Sequence, residues 1–321
     1  MENRIVNASH AAGGTGFNAK LNPNPAEVFA RAAGREDVSR RQEFMKDYDL
    51  GGRRHQAIVY PRPVHYRNAE GAWEEIDNTL EEAVTAQGRR VLKNRANRVR
   101  MEFPQEADGG SMASISCDGR TFAWRFENAV QAARATRRTG AEMKQARLVK
   151  QAQGMARYAG RTAESLQGAD LAAELETAQA ARMDICALRA ENRYDEVLPG
   201  VSVTYELVSD ALKENIILAD AAALGRAAIR LPGDYSYEVT PEQELLVQDR
   251  ASGETLFQMG APVVYDDAGA RVDGGVRLTA CAGYTRMEYE LSLIHIYNIA
   301  PLPILPTHKG NLAIRIFPHA V

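Results

Sequence analysis

A short Asp118-Gly119 turn between two runs of alternating apolar residues constrains the fold more than any other feature of this sequence. Asp-Gly suits the positive backbone φ angles of a two-residue type I′ hairpin loop. With that loop, Ile115 faces Phe122 and Ala113 faces Trp124, so the apolar partners share one face. The sequence therefore predicts an antiparallel hairpin with one buried side.

Further strand pairs have the same pattern. Apolar and polar residues alternate over Val201–Leu207, and a second strand, Leu212–Leu218, follows the Ser209-Asp210 turn. Val64–Tyr66 and Trp73–Ile76 flank another turn and predict a hairpin. Alternation of this kind is typical of sheets that bury one face. We therefore expect a mainly β, antiparallel β-sandwich-like fold.

Two regions instead favour helices. Residues 24–34 and 36–46 are predicted to form short N-terminal helices, because Asn24 can cap the first of them and Gly34 can end it. Residues 129–193 are rich in Ala and Gln and almost lack β-branched residues, which favours an inserted α-helical hairpin. Its first helix is predicted to end near Tyr158 and its second to start near Asp170.

The domain organisation follows from these changes in pattern. We predict an N-terminal arm with short helices (1–50), a first β-rich part (51–128), the helical insertion (129–193), a second β-rich part that completes the β domain (194–290), and a tail (291–321). The hexapeptide Leu291–Ile296 matches one translated frame of a common transposase sequencing adapter, so the tail is predicted to be non-native. The alternative is a real final strand, since Leu291, Leu293 and His295 continue the alternation.

Composition excludes several classes of protein. Among the 321 residues the formal net charge is −3, which gives no global attraction to nucleic acid. No stretch approaches the roughly 20 apolar residues that cross a bilayer, so no membrane insertion is expected. The three cysteines lack CxxC spacing, which disfavours a disulfide framework or a Cys-only zinc site. The N-terminal residues show no secretory signal pattern.

Residues that could carry chemistry are few. His55 and His65 lack metal-binding spacing, and no cofactor motif is present, so no metal site and no cofactor are predicted. Glu74, Glu75 and Asp77 lie near Trp73, in the manner of a glycosidase site. Adjacent acids on a strand point to opposite faces, however, and cannot readily flank one bond. No catalytic residue is therefore predicted, and solvated edge charges are the favoured interpretation.

Glu214 is expected to be buried. On a straight strand it shares a face with Leu212, Ile216 and Leu218. Because burial of a lone carboxylate is costly, we expect an arginine partner or a local bulge beside it.

Several segments together resemble the N-terminal region of large secreted Gram-positive bacterial proteins with DNRLRE-type and Rhs/YD-repeat domains. They are Tyr60–Tyr66, Trp73–Leu80, Leu212–Ile217 and Ala261–Asp266. The resemblance covers about residues 36–290. It implies an extracellular or cell-surface location and a non-catalytic structural or interaction module of an adhesin or toxin carrier. The implied partners are downstream domains of the same polypeptide, cell-wall glycan or another surface protein.

Two alternatives stay open. A carbohydrate-binding β-sandwich would need exposed aromatic residues on one sheet face, and Tyr60, Tyr66 and Trp73 are the candidates for surface binding. A glycoside-type hydrolase would use the acidic cluster near Trp73.

Overall fold

Antiparallel strands dominate the computed structural model, which describes residues 6–7, 35–128, 132–146, 186–265, 271–291 and 310–318. The mainly β, antiparallel fold expected from the sequence is confirmed. The chain divides into two compact units. The smaller unit holds the N-terminal residues through Thr79 together with 96–98 and 138–189, and the larger unit holds the rest.

The smaller unit contains a four-stranded and a two-stranded sheet. The strands are β1 (Val6–Asn7), β2 (Arg35–Glu36), β3 (Met45–Asp49), β4 (His55–Val59), β5 (His65–Arg67) and β6 (Trp73–Glu75). The first sheet has the order β1-β4-β3-β2, in which β1 alone is parallel to its neighbour. The hairpin β5–β6 forms the second sheet.

A small apolar core stabilises this unit. Tyr48, Ile58, Tyr60 and Val64 are all buried and in contact with one another. Ile58 is opposite Lys46 on β3, and Tyr48 is opposite Gln56 on β4. Lys46 and Tyr48 on β3 therefore share one face with Gln56 and Ile58 on β4.

The predicted helix over residues 36–46 is wrong. Glu36 ends β2, a 3₁₀ turn covers Val38–Arg40, and β3 begins at Met45. The Asp37 side chain accepts a hydrogen bond from the Ser39 amide and caps this single turn. Strand pairing thus overrides the helix propensity of the charged residues in this segment. The first predicted helix, residues 24–34, lies outside the described residues.

The larger unit is built from the remaining strands, of which β7, β8, β12 and β13 contain residues of both units. They are β7 (Asp77–Val84), β8 (Arg90–Ala96), β9 (Arg100–Pro104), β10 (Ala113–Cys117), β11 (Arg120–Phe126), β12 (Thr136–Thr139), β13 (Arg189–Leu198), β14 (Val201–Val208), β15 (Ala211–Leu218), β16 (Ile229–Pro232), β17 (Tyr235–Val239), β18 (Leu245–Asp249), β19 (Thr255–Met259), β20 (Val263–Tyr265), β21 (Arg271–Cys281), β22 (Tyr284–Leu291) and β23 (Gly310–Pro318).

The Asp118-Gly119 hairpin has the predicted register. Ala113 pairs with Trp124 and Ile115 pairs with Phe122 across β10 and β11. Asp118 has φ 49° and Gly119 has φ 77°, as a type I′ loop requires. The predicted β14–β15 pairing over Ser209-Asp210 is also present, and so is the β5–β6 hairpin.

The strand β23 lies in the predicted tail. Its backbone pairs with β15 on one side and with β19 and β20 on the other. The segment therefore completes the sheet in this structure. That residues 291–321 are non-native stays a prediction.

Of the predicted helical hairpin, the described residues contain one helix, residues 140–146, and the rest of the hairpin falls mostly outside them. The ends of the predicted insertion are not helical. Thr136–Thr139 and Arg189–Leu198 are strands, and a 3₁₀ turn covers Cys186–Leu188.

Candidate functional site

The three aromatic residues predicted for surface binding do not share a face. Tyr60 is only 6% exposed and belongs to the small core. Tyr66 pairs with Glu74, whereas Trp73 pairs with Arg67, and neighbouring residue pairs of a hairpin point to opposite sides. The Tyr66 hydroxyl donates to Glu74 Oε2 (2.7 Å), and the Arg67 guanidinium lies 4.1 Å from the Trp73 ring centre. The structure therefore does not bring them together as a flat platform for a sugar ring.

The three acids near Trp73 have separate partners. Glu74 accepts hydrogen bonds from Tyr66 and Asn68, and Asp77 accepts one from the Thr79 amide. Glu75 instead faces Arg41 and Lys46. The three carboxylates therefore have different partners.

Adjacent charged residues in the smaller unit separate into two groups. Successive side chains of a strand point to opposite faces. Lys46 and Asp47 on β3 therefore point to opposite sides. The pairs Glu36-Asp37 and Arg40-Arg41 divide in the same way: Glu36 and Arg41 belong to the group of Lys46, whereas Asp37 and Arg40 contact Asp47. Sequence reasoning did not identify these groups, because their members come from several elements. The available signal was three adjacent pairs of charged residues within twelve positions.

The first group, which we call the Glu36 network, consists of Glu36, Arg41, Lys46, His65 and Glu75. Arg41 donates two hydrogen bonds to the Glu36 carboxylate (2.7 and 3.2 Å) and one to Glu75 Oε1 (3.0 Å). Lys46 Nζ lies 3.3 Å from the same Glu75 oxygen, and its side chain is only 3% exposed. Each carboxylate is therefore held by at least one cation.

His65 closes the Glu36 network from a fully buried position. Its Nδ1 lies 2.7 Å from the Gln42 carbonyl oxygen, and its Nε2 lies 3.2 Å from Glu36 Oε1. Both ring nitrogens of His65 therefore face hydrogen-bond acceptors. Burial raises the pKa of Glu36, but hydrogen bonds from His65 and Arg41 outweigh it and hold this pKa well below its ordinary value. Glu36 is thus ionised in the folded protein at neutral pH.

The second group surrounds Asp47, whose side chain is only 4% exposed. His55 Nδ1 lies 2.8 Å from Asp47 Oδ1, and Arg40 Nε lies 3.5 Å from Asp47 Oδ2. The amide of Asp37 donates to the Asp47 carbonyl oxygen (2.7 Å). Hydrogen bonds from Ser39 lower the pKa of the Asp37 carboxyl. This group links the 3₁₀ turn to β3 and β4.

Both groups contain residue types that bind metals. Two sets of three side chains have potential ligand atoms within 4.8 Å of one another: Glu36, His65 and Glu75, and Asp37, Asp47 and His55. In each set a lysine or arginine already contacts a carboxylate, so ion pairing accounts for the arrangement. The absence of a metal site stays a prediction.

Replacing Glu36 by Gln is expected to destabilise the smaller unit by about 1–3 kcal/mol at pH 7, because charge-assisted hydrogen bonds are lost. A carboxyl with a lowered pKa contributes its full stability above its ordinary value of 4.5, and this contribution declines progressively as the pH falls from there towards the folded-state pKa. The difference between parent and variant should therefore shrink in acid. Hydrogen exchange of β3 and β4 at pH 7 and pH 4 measures it.

The exposed Glu70 provides the matched control, since Glu70→Gln makes the same chemical change outside the network. Its exchange rates should equal those of the parent. Equal rates for parent and Glu36→Gln at pH 7 would show that the network contributes nothing to stability.

Glu214 forms a polar centre in the core of the larger unit. The side chain is fully buried, as the sequence predicts, and it lies directly across from Tyr205. Its partner is not an arginine: Trp124 Nε1 donates to Glu214 Oε1 at 3.0 Å. The straight β14–β15 ladder continues through this position, so there is no bulge either. A ring nitrogen and two tyrosines take the place of the expected cation.

Burial raises the pKa of Glu214 above its ordinary value, although Trp124, Tyr205 and Tyr289 oppose the shift. Both tyrosine hydroxyls are near the carboxyl, but neither reaches hydrogen-bond geometry, and Glu214 Oε2 has no partner among the described residues. Burial therefore favours the neutral acid more than at an exposed glutamate.

Among the described residues, no helix combines the length and the apolar character needed to span a membrane.

No protein-family model matches the chain, and no curated protein matches it significantly. A solved structure titled "Crystal Structure Analysis of HI1317" is similar over 74% of this chain and 98% of that chain, with 8% sequence identity and a TM-score of 0.27. Similarity at that level carries no argument about fold or function.

Proposed function

We propose that the chain is a non-catalytic structural and interaction module at the N-terminal side of a large secreted or cell-surface repeat protein. The observation that carries this proposal is the Glu36 network. Its two carboxylates are bound by Arg41 and Lys46, and its histidine is buried between two acceptors. Groups held in this way stabilise a fold, whereas a general acid or base must reach a substrate.

The hydrolase and carbohydrate-binding alternatives receive less support. Glu74, Glu75 and Asp77 each have a different partner, and these contacts do not link the three acids to one another. Tyr60 is buried, and Tyr66 and Trp73 lie on opposite sides of their hairpin. Partners of the module would then be downstream domains of the same polypeptide or another surface protein.

Long-read sequencing of the locus tests this proposal. We expect one open reading frame that adds an export signal before the present start and repeat domains after residue 290. An uninterrupted frame that ends soon after residue 321 and encodes no export signal would contradict it. The same reads decide whether Leu291–Ile296 is part of the natural chain.

A further inference from the structure

A cleft with a volume of about 650 Å³ opens on the larger unit. It lies between the start of β8, the segment 105–108 that follows β9, and residues 132–135. Four arginines contribute to its walls: Arg89, Arg90, Arg134 and Arg137. The volume falls within the range of about 300–1,000 Å³ that is usual for sites of small ligands.

Backbone hydrogen bonds hold the walls of this cleft. The Ala107 amide donates to the Ala133 carbonyl oxygen (2.8 Å), and the Ala135 amide donates to that of Gln105 (2.9 Å). Leu92 and Ala107 also line the cleft, with exposures of only 4% and 1%. The cleft therefore has an ordered frame, and apolar groups lie beneath its charged rim.

Two of the four arginines already have acidic partners. Arg89 forms two hydrogen bonds with the Asp108 carboxylate. Arg137 donates to the Leu80 carbonyl oxygen (3.1 Å) and lies 3.5 Å from Glu82. The charges of these pairs are largely balanced within the cleft.

Arg90 and Arg134 differ from Arg89 and Arg137 in their contacts. Across the described part of the chain, neither guanidinium has an ion-pair or hydrogen-bond partner. Glu106, which also lines the cleft, lies directly across a β-bridge from Arg134 but forms no ion pair with it. Two guanidinium groups are thus available at the rim of one cleft.

We propose that this cleft binds a small ligand with at least two carboxylate or phosphate groups, which Arg90 and Arg134 recognise. A guanidinium presents a planar fork of donors that matches either group with two hydrogen bonds. Leu92 and Ala107 contact the apolar part of the ligand. This inference goes beyond the proposed function, whose partners are protein domains, because it adds a small-molecule ligand.

Calorimetric titration of the full chain with citrate and with inorganic pyrophosphate tests the inference at low ionic strength, where exposed charges are least screened. We expect saturable binding of at least one anion. Arg90→Gln and Arg134→Gln should each raise Kd by roughly tenfold or more, because each removes a charge-assisted bidentate contact. Tighter binding of citrate or of pyrophosphate identifies carboxylate or phosphate as the preferred group.

Arg193→Gln is the matched control, because Arg193 lies on β13 outside the cleft and its side chain is 43% exposed. It makes the same change in net charge and should leave Kd within about twofold of the parent. Three results would overturn the inference: no binding of either anion by the parent, unchanged Kd in both cleft variants, or an equal rise in the control. Sequencing of the locus, which tests the proposed function, does not depend on any of these three results. Either proposal can therefore be contradicted while the other stands.

Discussion

Replacing Phe122 by Ala is expected to lower the free energy of unfolding of the larger unit by about 3–5 kcal/mol. Phe122 is fully buried at the centre of an aromatic cluster. Its ring centre lies 5.5 Å from that of Trp124, 5.6 Å from that of Phe257 and 6.0 Å from that of Tyr235. The substitution removes these contacts and leaves a cavity that the surrounding strands, fixed by their hydrogen bonds, cannot fill.

Urea unfolding followed by Trp124 fluorescence measures this effect in the larger unit. The chain has two tryptophans, so a Trp73→Phe background leaves Trp124 as the single reporter. Phe44→Ala provides the control, since that phenylalanine is 42% exposed and the change is chemically the same. A loss below about 1 kcal/mol for Phe122→Ala would be typical of a surface position and would contradict this packing.

The hairpin around Phe122 could be predicted from the sequence because two local signals agree. Asp118-Gly119 sets the loop, and the apolar alternation sets which residues face inward. A one-residue slip of register would have placed Phe122 and Trp124 on the solvent face. Local turn chemistry and burial therefore determine this part of the fold together.

The segment 36–46 shows why local propensity fails elsewhere. Its arginines and glutamates favour a helix in isolation, but the structure uses Glu36 and Arg41 for an ion pair and pairs Met45–Asp49 with the following strand. Neither contact is visible in a window of ten residues. Pairing between distant segments decides the secondary structure here.

The charged groups could be predicted only in part. Burial of Glu214 followed from alternation along one strand, yet its partner Trp124 is 90 positions away. Charge alone predicts an arginine partner for Glu214, whereas the core supplies the neutral ring N–H of Trp124. The sequence could not predict that Arg90 and Arg134 meet at one cleft, because the cleft depends on backbone pairing between residues 105–107 and 133–135.

Replacing Glu214 by Gln is expected to make the larger unit more stable relative to the parent as the pH rises. Burial raises the pKa of Glu214 in the folded state, whereas the unfolded carboxyl titrates near its ordinary value of 4.5. Between these two pKa values only the unfolded parent loses its proton, so ionisation favours unfolding. The parent's stability from this group is thus complete below pH 4.5 and declines at higher pH.

The amide of Gln does not titrate, and its oxygen can still accept the hydrogen bond from Trp124 Nε1. Parent and variant should therefore be closest in stability near pH 4. Above about pH 4.5 the difference should grow in favour of the variant by up to about 1.4 kcal/mol per pH unit, until the folded carboxyl ionises as well. Urea unfolding at several pH values, again read from Trp124 in the Trp73→Phe background, gives this slope.

Glu254→Gln supplies the matched control, because Glu254 is exposed on the same unit. Its stability difference from the parent should not vary with pH. The outcome depends on whether the core contains a neutral acid or a charge. If the folded-state pKa of Glu214 lay below the unfolded value, the parent would gain stability with rising pH and the slope would have the opposite sign.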